Sequence, residues 1–234
     1  MAGCNSPFTA MPLLSPTRIF HITAIANLPS VLATGALLCK QEATAQGLAY
    51  QNIAHAGAQG ARARKAVPNP PGGLLHDYVP FYFAPRSPML GAINQGNVVG
   101  CPWRQADIVH FETTVEAVTA QGLPFVFYDR NATLAYSQPC TDLSQLGDHI
   151  AWDLITEAPQ LDGYCRYWHS KPDSERYSDR MERRQAEFLV KSRVDLNLMT
   201  RIGVFNLDKV VQVRTMLLQA QCALPVQAMP DWYF

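Results

Sequence analysis

The sequence predicts an α+β fold, and three observations support this. Short runs of β-branched and aromatic residues recur along the chain, helices with recognisable starts and stops lie between them, and the two do not alternate regularly as in a parallel βαβ sheet. The 234 residues, 48% of them hydrophobic, suffice for one sizeable core. We therefore expect a single domain over residues 17–234, preceded by a loose leader over residues 1–16 that holds three prolines.

Several segments have the composition of strands. Arg18–Thr23 is a short β-rich run, and Tyr78–Phe83 is almost continuously apolar, as in a strand that is buried on both faces. The other strands are predicted over residues 107–111, 124–128, 187–190, 201–205 and 225–229.

The helices are predicted from their end signals. Asn27 favours a helix start before residues 28–34, and Gly35 is a typical stop. Ser87 and Pro88 open another helix, because serine caps a first turn and proline is tolerated within it. Further helices are expected near residues 114–121, 141–157 and 207–220. Residues 41–73 are expected to form a helix and a long loop, and residues 163–182 a polar loop.

Charge and cysteine content exclude several classes of protein. Nineteen basic and nineteen acidic residues balance, so any contact with nucleic acid requires a local basic patch. The six cysteines form no CxxC pair, which disfavours a zinc ribbon and favours free thiols in a reducing cytoplasm. Without a signal peptide or an apolar span of about 18 residues, we expect a cytoplasmic protein that uses no metal and no membrane.

Three local patterns remain as candidates for chemistry, since no Rossmann, P-loop, HExxH or GxSxG motif is present. The first pattern is His21 within a strand, which is also compatible with a core histidine. The second is the aromatic strand that leads into Ser87, which is also compatible with core packing. The third is Gln185 and Glu187, two residues apart and therefore on one face of an extended segment, which is also compatible with a solvated face.

Together, the three patterns resemble the site motifs of ADP-ribosyltransferases. The resemblance becomes close for the segment Leu75–Leu90, which is similar to a signature of the DarT family, the DNA ADP-ribosyltransferase toxins of the DarT–DarG toxin–antitoxin pair. Residues 19–23, 105–109, 184–190 and 232–234 are also similar to that family, so the resemblance covers residues 17–234. It implies a split β-sheet with an NAD cleft and surrounding helices.

The resemblance implies the residues that act on NAD as co-substrate. Glu187 is expected to be catalytic, because a carboxylate beside the ribose stabilises positive charge in the transition state. The expected contacts to NAD are His21, Ile22, Thr23, Ser30, Leu38 and Arg62.

The family also uses an arginine in the loop before its second strand. Arg62 and Arg64 both fit by spacing, and the count back from Val67 favours Arg62. Because a guanidinium stays protonated in proteins, we interpret this arginine as an electrostatic clamp on the acceptor base.

The acceptor that the resemblance implies is a thymidine base in single-stranded DNA. The expected DNA contacts are Arg86, Ser87, Pro88, Met89, Asp173, Ser174, Arg183, Arg184 and Gln185. Another acceptor, such as guanosine or a protein side chain, and a catalytically silent binding module remain alternatives. A macrodomain antitoxin, DarG, is the protein partner that the resemblance implies.

Overall fold

The computed structural model describes residues 16–234, so the predicted leader lies outside the described residues except for Pro16. In this part of the chain the strands are β1 (Arg18–Ala24), β2 (Ala36–Leu38), β3 (Tyr78–Tyr82), β4 (Ile108–Thr114), β5 (Phe125–Tyr128), β6 (Pro139–Cys140), β7 (Gln160–Leu161), β8 (Tyr164–Cys165), β9 (Glu187–Lys191), β10 (Arg193–Asp195), β11 (Arg201–Val204) and β12 (Val226–Ala228). The α-helices are α1 (Leu28–Thr34), α2 (Lys40–Ala45), α3 (Ala56–Arg62), α4 (Pro88–Gln95), α5 (Val115–Thr119), α6 (Leu146–His149), α7 (Trp152–Ile155), α8 (Arg180–Arg183) and α9 (Leu207–Gln219).

One large sheet organises the molecule, in the order β12-β11-β4-β1-β3-β9-β5-β6. All neighbouring strands in it run antiparallel except β11 and β12, which are parallel. The inner strands β1, β4 and β9 are buried on both faces, and β4 buries polar side chains, His110 and Glu112, among its apolar ones. The α+β class predicted from the sequence is confirmed.

The sheet is interrupted between β1 and β3. These strands pair only at Phe20 and Tyr82, whereas β3 pairs with β9 along its whole length. Pro80 explains the interruption, since proline has no N–H to donate. The Pro80 carbonyl faces β1, because the His21 side chain bonds it there. The N–H of an extended residue points to the same side as its carbonyl, so the missing donor faces β1 as well.

The carboxyl-terminal residues pack onto the other half of the sheet. The Trp232 ring lies edge-on to Phe20, with ring centroids 5.0 Å apart, and covers Gly203 of β11. The Gln105 amide exchanges two hydrogen bonds with the backbone of Phe234, at 2.6 and 2.7 Å. The end of the described chain is thus fixed beside β4 and the residues that lead into it.

A buried carboxylate fastens three strands of this half. Glu112 on β4 is 2% exposed and forms ion pairs with Arg18 of β1 and Arg201 of β11. Arg18 also pairs with Asp162 at 2.8 Å, and Asp162 accepts a hydrogen bond from the Trp232 indole at 2.7 Å. This network satisfies charges that would be costly to bury alone.

Several elements differ from the sequence prediction. The helix expected over residues 141–157 is instead two short helices, α6 and α7, separated by Ile150 in an extended conformation. The loop expected from residue 163 begins within a hairpin, in which Asp162 and Gly163 take φ values of 48° and 83°. An Asp-Gly pair suits such a tight turn because both of its residues need positive φ. The sequence prediction also missed β2 and β10, which pair with each other.

Gly203 gives a test of this packing. A Cβ at this position would lie 2.1 Å from Trp232 Cζ3, so we expect Gly203→Ala to lower the free energy of unfolding by about 2 kcal/mol, measured by urea denaturation. The matched control is Gly57→Ala in α3, where a Cβ meets nothing within 4 Å and no loss is expected. A Gly203→Ala protein as stable as the parent would contradict the packing described.

Candidate active site

A cleft of about 1060 Å³, its open mouth included, lies at the interruption of the sheet. Its walls come from β1, β2, β3, β9, the segment that contains α3, and the turn after β5. The cleft brings together several residues that the sequence analysis selected, namely His21, Ile22, Thr23, Leu38, Arg62, Met89 and Glu187.

His21 is fixed in one protonation state by its neighbours. Its Nδ1 lies 2.8 Å from the Pro80 carbonyl, which only accepts, so Nδ1 carries the proton. Burial, and to a lesser extent the nearby Arg62 guanidinium, lower the pKa of His21 to about 4. The imidazole is therefore neutral near pH 7, and its Nε2 presents an acceptor.

Glu187 is the buried carboxylate of the cleft. It is the first residue of β9 and is 2% exposed. Its two oxygens accept hydrogen bonds from Arg62 Nη1 at 3.0 and 3.1 Å, and Oε2 also accepts from the Ala132 N–H at 3.1 Å. These contacts compensate the loss of hydration that a buried charge suffers.

Two tyrosines flank Glu187 across the sheet. Tyr82 of β3 and Tyr128 of β5 both stand opposite it, so the three side chains lie on one face. Burial, reinforced by the Glu187 carboxylate, raises the pKa of Tyr128 to about 12 and raises that of Tyr82 as well. Both phenols are therefore neutral at pH 7, and they exclude water from the sides of the carboxylate.

Arg62, and not Arg64, is the arginine that reaches Glu187. Arg62 is the last residue of α3, whereas Arg64 follows the helix and is exposed. The Nη2 atom of Arg62 is buried and has no hydrogen-bond partner within residues 16–234, so it is available to a ligand. Helix α3 itself has no buried residue, and its other side-chain anchor is the contact between Gln59 and His76, at 3.1 Å.

Asn27 anchors the loop that covers the cleft. The sequence analysis expected Asn27 to cap α1, but its side chain makes no capping hydrogen bond there. Its Nδ2 donates to Thr23 Oγ1 and to the Gln51 carbonyl, both at 2.9 Å, and its Oδ1 accepts from the Gln51 N–H at 2.6 Å. Thr23 and Gln51 both line the cleft, so Asn27 sets the distance between two of its walls.

Ser30 and Leu38 occupy different positions. Leu38 of β2 lines the cleft, whereas Ser30 of α1 is not among the lining residues. The Ser30 hydroxyl donates to the carbonyl of Ala49 at 3.0 Å, next to the cleft residue Tyr50. Its expected contact with a cofactor stays a prediction.

The segment Arg86–Met89 contains both buried and partly exposed residues. Ser87 is fully buried and caps α4, where its hydroxyl accepts from the Leu90 N–H at 3.2 Å. The Arg86 guanidinium lies 4.5 Å above the Phe234 ring, and Pro88 is the partly exposed first residue of α4. Met89 alone of this segment lines the cleft.

The basic run before β9 separates into partly exposed and buried members. Arg184 is 2% exposed and donates to the carbonyls of Ile155 and Arg86, at 3.1 and 3.3 Å, so it supports the Arg86 turn from inside. The Arg183 side chain is 42% exposed and pairs with Asp179. Gln185 accepts a hydrogen bond from Asn131 at 3.2 Å, which places it beside the cleft.

Asp173 and Ser174 lie farther along the surface. Both belong to the loop before α8, where Asp173 is exposed and Ser174 half-buried. Their expected contacts with DNA stay a prediction.

Sequence reasoning missed Tyr82, Tyr128, Asn131 and Thr133 as members of the site. Tyr82 and Tyr128 carried a signal, since both lie within strands that the sequence predicted. Asn131 and Thr133 lie in a turn that matches no motif.

Within residues 16–234, no three His, Cys, Asp or Glu side chains gather as a metal site. In the same part of the chain, no helix is both long and apolar enough to cross a membrane.

The interrupted sheet, with a histidine, an arginine and a buried glutamate in its cleft, agrees with the ADP-ribosyltransferase class that the sequence motifs resemble, and comparison with known proteins gives the same class. A family model described as "ssDNA thymidine ADP-ribosyltransferase, DarT" matches residues 20–234. The chain belongs to the DarT family.

The relatives include a DNA ADP-ribosyl transferase of Thermus sp. (strain 2.9), which is 37% identical over 221 residues, covering 94% of this chain and 97% of that protein. The structure of Thermus sp. 2.9 DarT in complex with ADP-ribosylated ssDNA matches with a TM-score of 0.81, at 36% identity, over 94% of this chain and 97% of that one. Its complex with NAD+ matches with a TM-score of 0.77, at 34% identity, over 94% and 98%.

The anchoring role of Asn27 is testable by hydrogen exchange. We expect Asn27→Ala to lower the protection of the Gln51 amide about tenfold or more, because that amide loses its acceptor. The control is Asn52→Ala, at an exposed asparagine beside Gln51 whose side chain bonds only the backbone of Ala54, and it should leave the Gln51 amide protected. Equal protection of Gln51 in both variants would contradict the assignment.

Proposed function

We propose that the cleft at the sheet interruption is the active site, in which this enzyme transfers ADP-ribose from NAD to a thymidine base in single-stranded DNA and releases nicotinamide. The observation that carries the assignment of the site is the contact between Arg62 and the buried Glu187, beside a neutral His21. The family supplies the reaction, and the proposal concerns which residues of this chain perform it.

Glu187 stabilises the charge that develops on the sugar. Breaking the bond between nicotinamide and ribose leaves positive charge on the ribose, and the bonding electron pair departs with nicotinamide. A carboxylate held in a site from which water is excluded stabilises that charge more strongly in the transition state than in the ground state. The Ala132 N–H and Arg62 hold the carboxylate in place before substrate arrives.

Arg62 acts on the acceptor side as a fixed positive charge. The base loses the proton of its ring nitrogen to solvent water as the new bond to ribose forms, and negative charge grows there. A guanidinium next to Glu187 stabilises that negative charge without itself becoming deprotonated. Its unpaired, buried Nη2 gives it a free donor for a phosphate or a base oxygen.

The opposite wall holds NAD. The Nε2 of neutral His21 accepts a hydrogen bond from a ribose hydroxyl, and Ile22, Thr23 and Leu38 line the same wall. Ser30 acts through Ala49, whose position it fixes next to Tyr50. These contacts bind and orient the dinucleotide, which is the largest part of what such a site must do.

Single-stranded DNA enters from the side of α4 and α8. An unpaired base reaches the cleft without the cost of opening a duplex. The partly exposed Arg183 and the half-buried Arg86 offer charge to the backbone, and Met89 and Gln185 lie where the base enters. Arg184 and Ser87 support this surface from inside, through hydrogen bonds to the Arg86 carbonyl and the Leu90 N–H.

The family also supports a role as a growth-inhibiting toxin that a macrodomain antitoxin, DarG, holds in check. Cys39, Cys101, Cys140, Cys165 and Cys222 are free thiols, which suits the reducing cytoplasm that we propose as its compartment.

The catalytic pair is tested by mass spectrometry of a thymidine-containing oligonucleotide incubated with NAD. We expect Glu187→Gln and Arg62→Lys each to lower the rate of ADP-ribosylation about 100-fold or more. The first substitution removes the negative charge of the carboxylate, and the second removes the forked donor of the guanidinium. Arg64→Lys is the control and should retain the parent rate, since Arg64 is exposed. Loss of activity only in Arg64→Lys would reverse the assignment, and transfer to thymidine-free DNA would move the acceptor to another base.

The DNA surface is tested by salt dependence. We expect Arg183→Ala to reduce the slope of log affinity against log salt by about 0.7, the value for one phosphate contact on a single strand. Arg193→Ala is the control, because the Arg193 side chain is also solvent-accessible, at 53% exposure, and also pairs with an aspartate, Asp195, but lies on β10, which pairs with β2. Identical slopes in both variants would remove Arg183 from the proposed DNA contacts.

A further inference from the structure

The turn after β5 contacts the catalytic carboxylate. We name residues 129–138, which follow this strand, the acceptor loop. The Ala132 N–H donates to Glu187 at 3.1 Å, and the residues on either side, Asn131 and Thr133, line the cleft. Asn131 therefore lies in the wall of the cleft next to Glu187.

The orientation of the Asn131 amide is determined by its partners. One amide atom accepts from the Thr133 N–H at 2.9 Å and from Thr133 Oγ1 at 2.6 Å. A backbone N–H only donates, so the atom that faces Thr133 is the oxygen. The nitrogen, Nδ2, consequently points the other way, and it donates to Gln185 Oε1 at 3.2 Å.

The orientation of Gln185 follows from a second, independent constraint. Its Nε2 donates to the carbonyl of Met181 at 3.2 Å, and a carbonyl only accepts. Gln185 must then present its oxygen to Asn131, in agreement with the orientation fixed by Thr133. The three bonds form a chain with one direction, which begins at a backbone donor and ends at a backbone acceptor.

After these hydrogen bonds are made, the two side-chain amides keep free N–H groups, but few free acceptors, for a ligand. Asn131 Oδ1 already accepts two hydrogen bonds, whereas each amide nitrogen has used one of its two hydrogens. Within residues 16–234, the second hydrogen of either nitrogen has no protein acceptor. Of the two residues, Asn131 lines the cleft beside Glu187 and offers its N–H there, whereas Gln185 is not among the lining residues and holds the Asn131 amide in place.

The bases differ in what they place around the reacting ring nitrogen. In thymidine the one ring N–H lies between two carbonyl oxygens, so a donor placed on either side of it finds an acceptor. Guanine has a carbonyl on one side of its ring N–H and an amino donor on the other, and cytosine has no ring N–H at this position. A donor beside the reacting nitrogen therefore always meets a carbonyl on thymine, whereas on one side of the other two bases it meets a repulsive amino group.

We propose that Asn131 determines the base specificity of the enzyme, by donating a hydrogen bond to a carbonyl next to the reacting nitrogen of thymine, with Gln185 as its positioning residue. This inference rests on the proposed function and adds the recognition of the acceptor. It involves no step beyond the transfer itself, in which the bond from ribose to the ring nitrogen replaces the bond to nicotinamide and the base gives up one proton to solvent water.

The test replaces single carbonyl oxygens of the base. Oligonucleotides carry thymidine, 2-thiothymidine or 4-thiothymidine at one acceptor position, because sulfur accepts hydrogen bonds poorly. Initial rates of ADP-ribosylation are measured by mass spectrometry for the parent protein and for Asn131→Ala. For one of the two thio bases, we expect the ratio of the thymidine rate to the thio-base rate to be about tenfold larger in the parent. The intrinsic reactivity of each base cancels, because it is the same for both proteins.

A second variant keeps the test valid if Asn131→Ala fails to fold. Asn131→Asp retains the acceptor for Thr133 and so retains the turn, but it lacks the donor, and it should lose the same sensitivity to sulfur. Asn97→Asp, at an exposed asparagine outside the cleft, is the matched control and should keep the parent ratio. Equal ratios in the parent and both Asn131 variants would overturn the inference alone, whereas no product from the parent on thymidine would overturn the proposed function with it.

Discussion

The missing hydrogen bond at Pro80 is the constraint on which the rest of the structure depends. A proline in an inner strand leaves a neighbour without a donor, so β1 and β3 separate after one pair of residues. The separation exposes a carbonyl that His21 bonds, and it opens the sheet where Tyr82 and Glu187 stand. The cleft is therefore a property of the sheet itself and needs no separate domain.

The site is built from charges that contribute little to stability. Arg62 and Glu187 lose most of their hydration, and the attraction between such a pair often only balances that loss. Glu112 repeats this arrangement in the other half of the sheet, where it lies outside the cleft and joins strands instead. A buried ion pair thus joins strands on one side of the interruption and lies in the cleft on the other.

Local patterns in the sequence located much of the fold and part of the site. Apolar runs predicted the inner strands, and the pattern of Gln185 and Glu187 pointed to the cleft through Glu187. The predicted shared strand face was wrong, because Gln185 lies in the turn before β9. The sequence did not show the direction in which each side chain points. Arg184 was counted as surface charge, yet it turns inward because two backbone carbonyls need a donor. Asn131 was invisible because its partner lies 54 residues away, and no local pattern encodes that distance.

Helix α3 links the proposed chemistry to the local structure. None of its residues is fully buried, and two side-chain contacts fasten it, Arg62 on Glu187 and Gln59 on His76. The side chain that we propose to act on the acceptor base is thus also one of the two fastenings of the segment beside the cleft. A substitution of Arg62 therefore removes a charge and loosens a wall of the cleft at once, so the activity of such a variant measures both losses together.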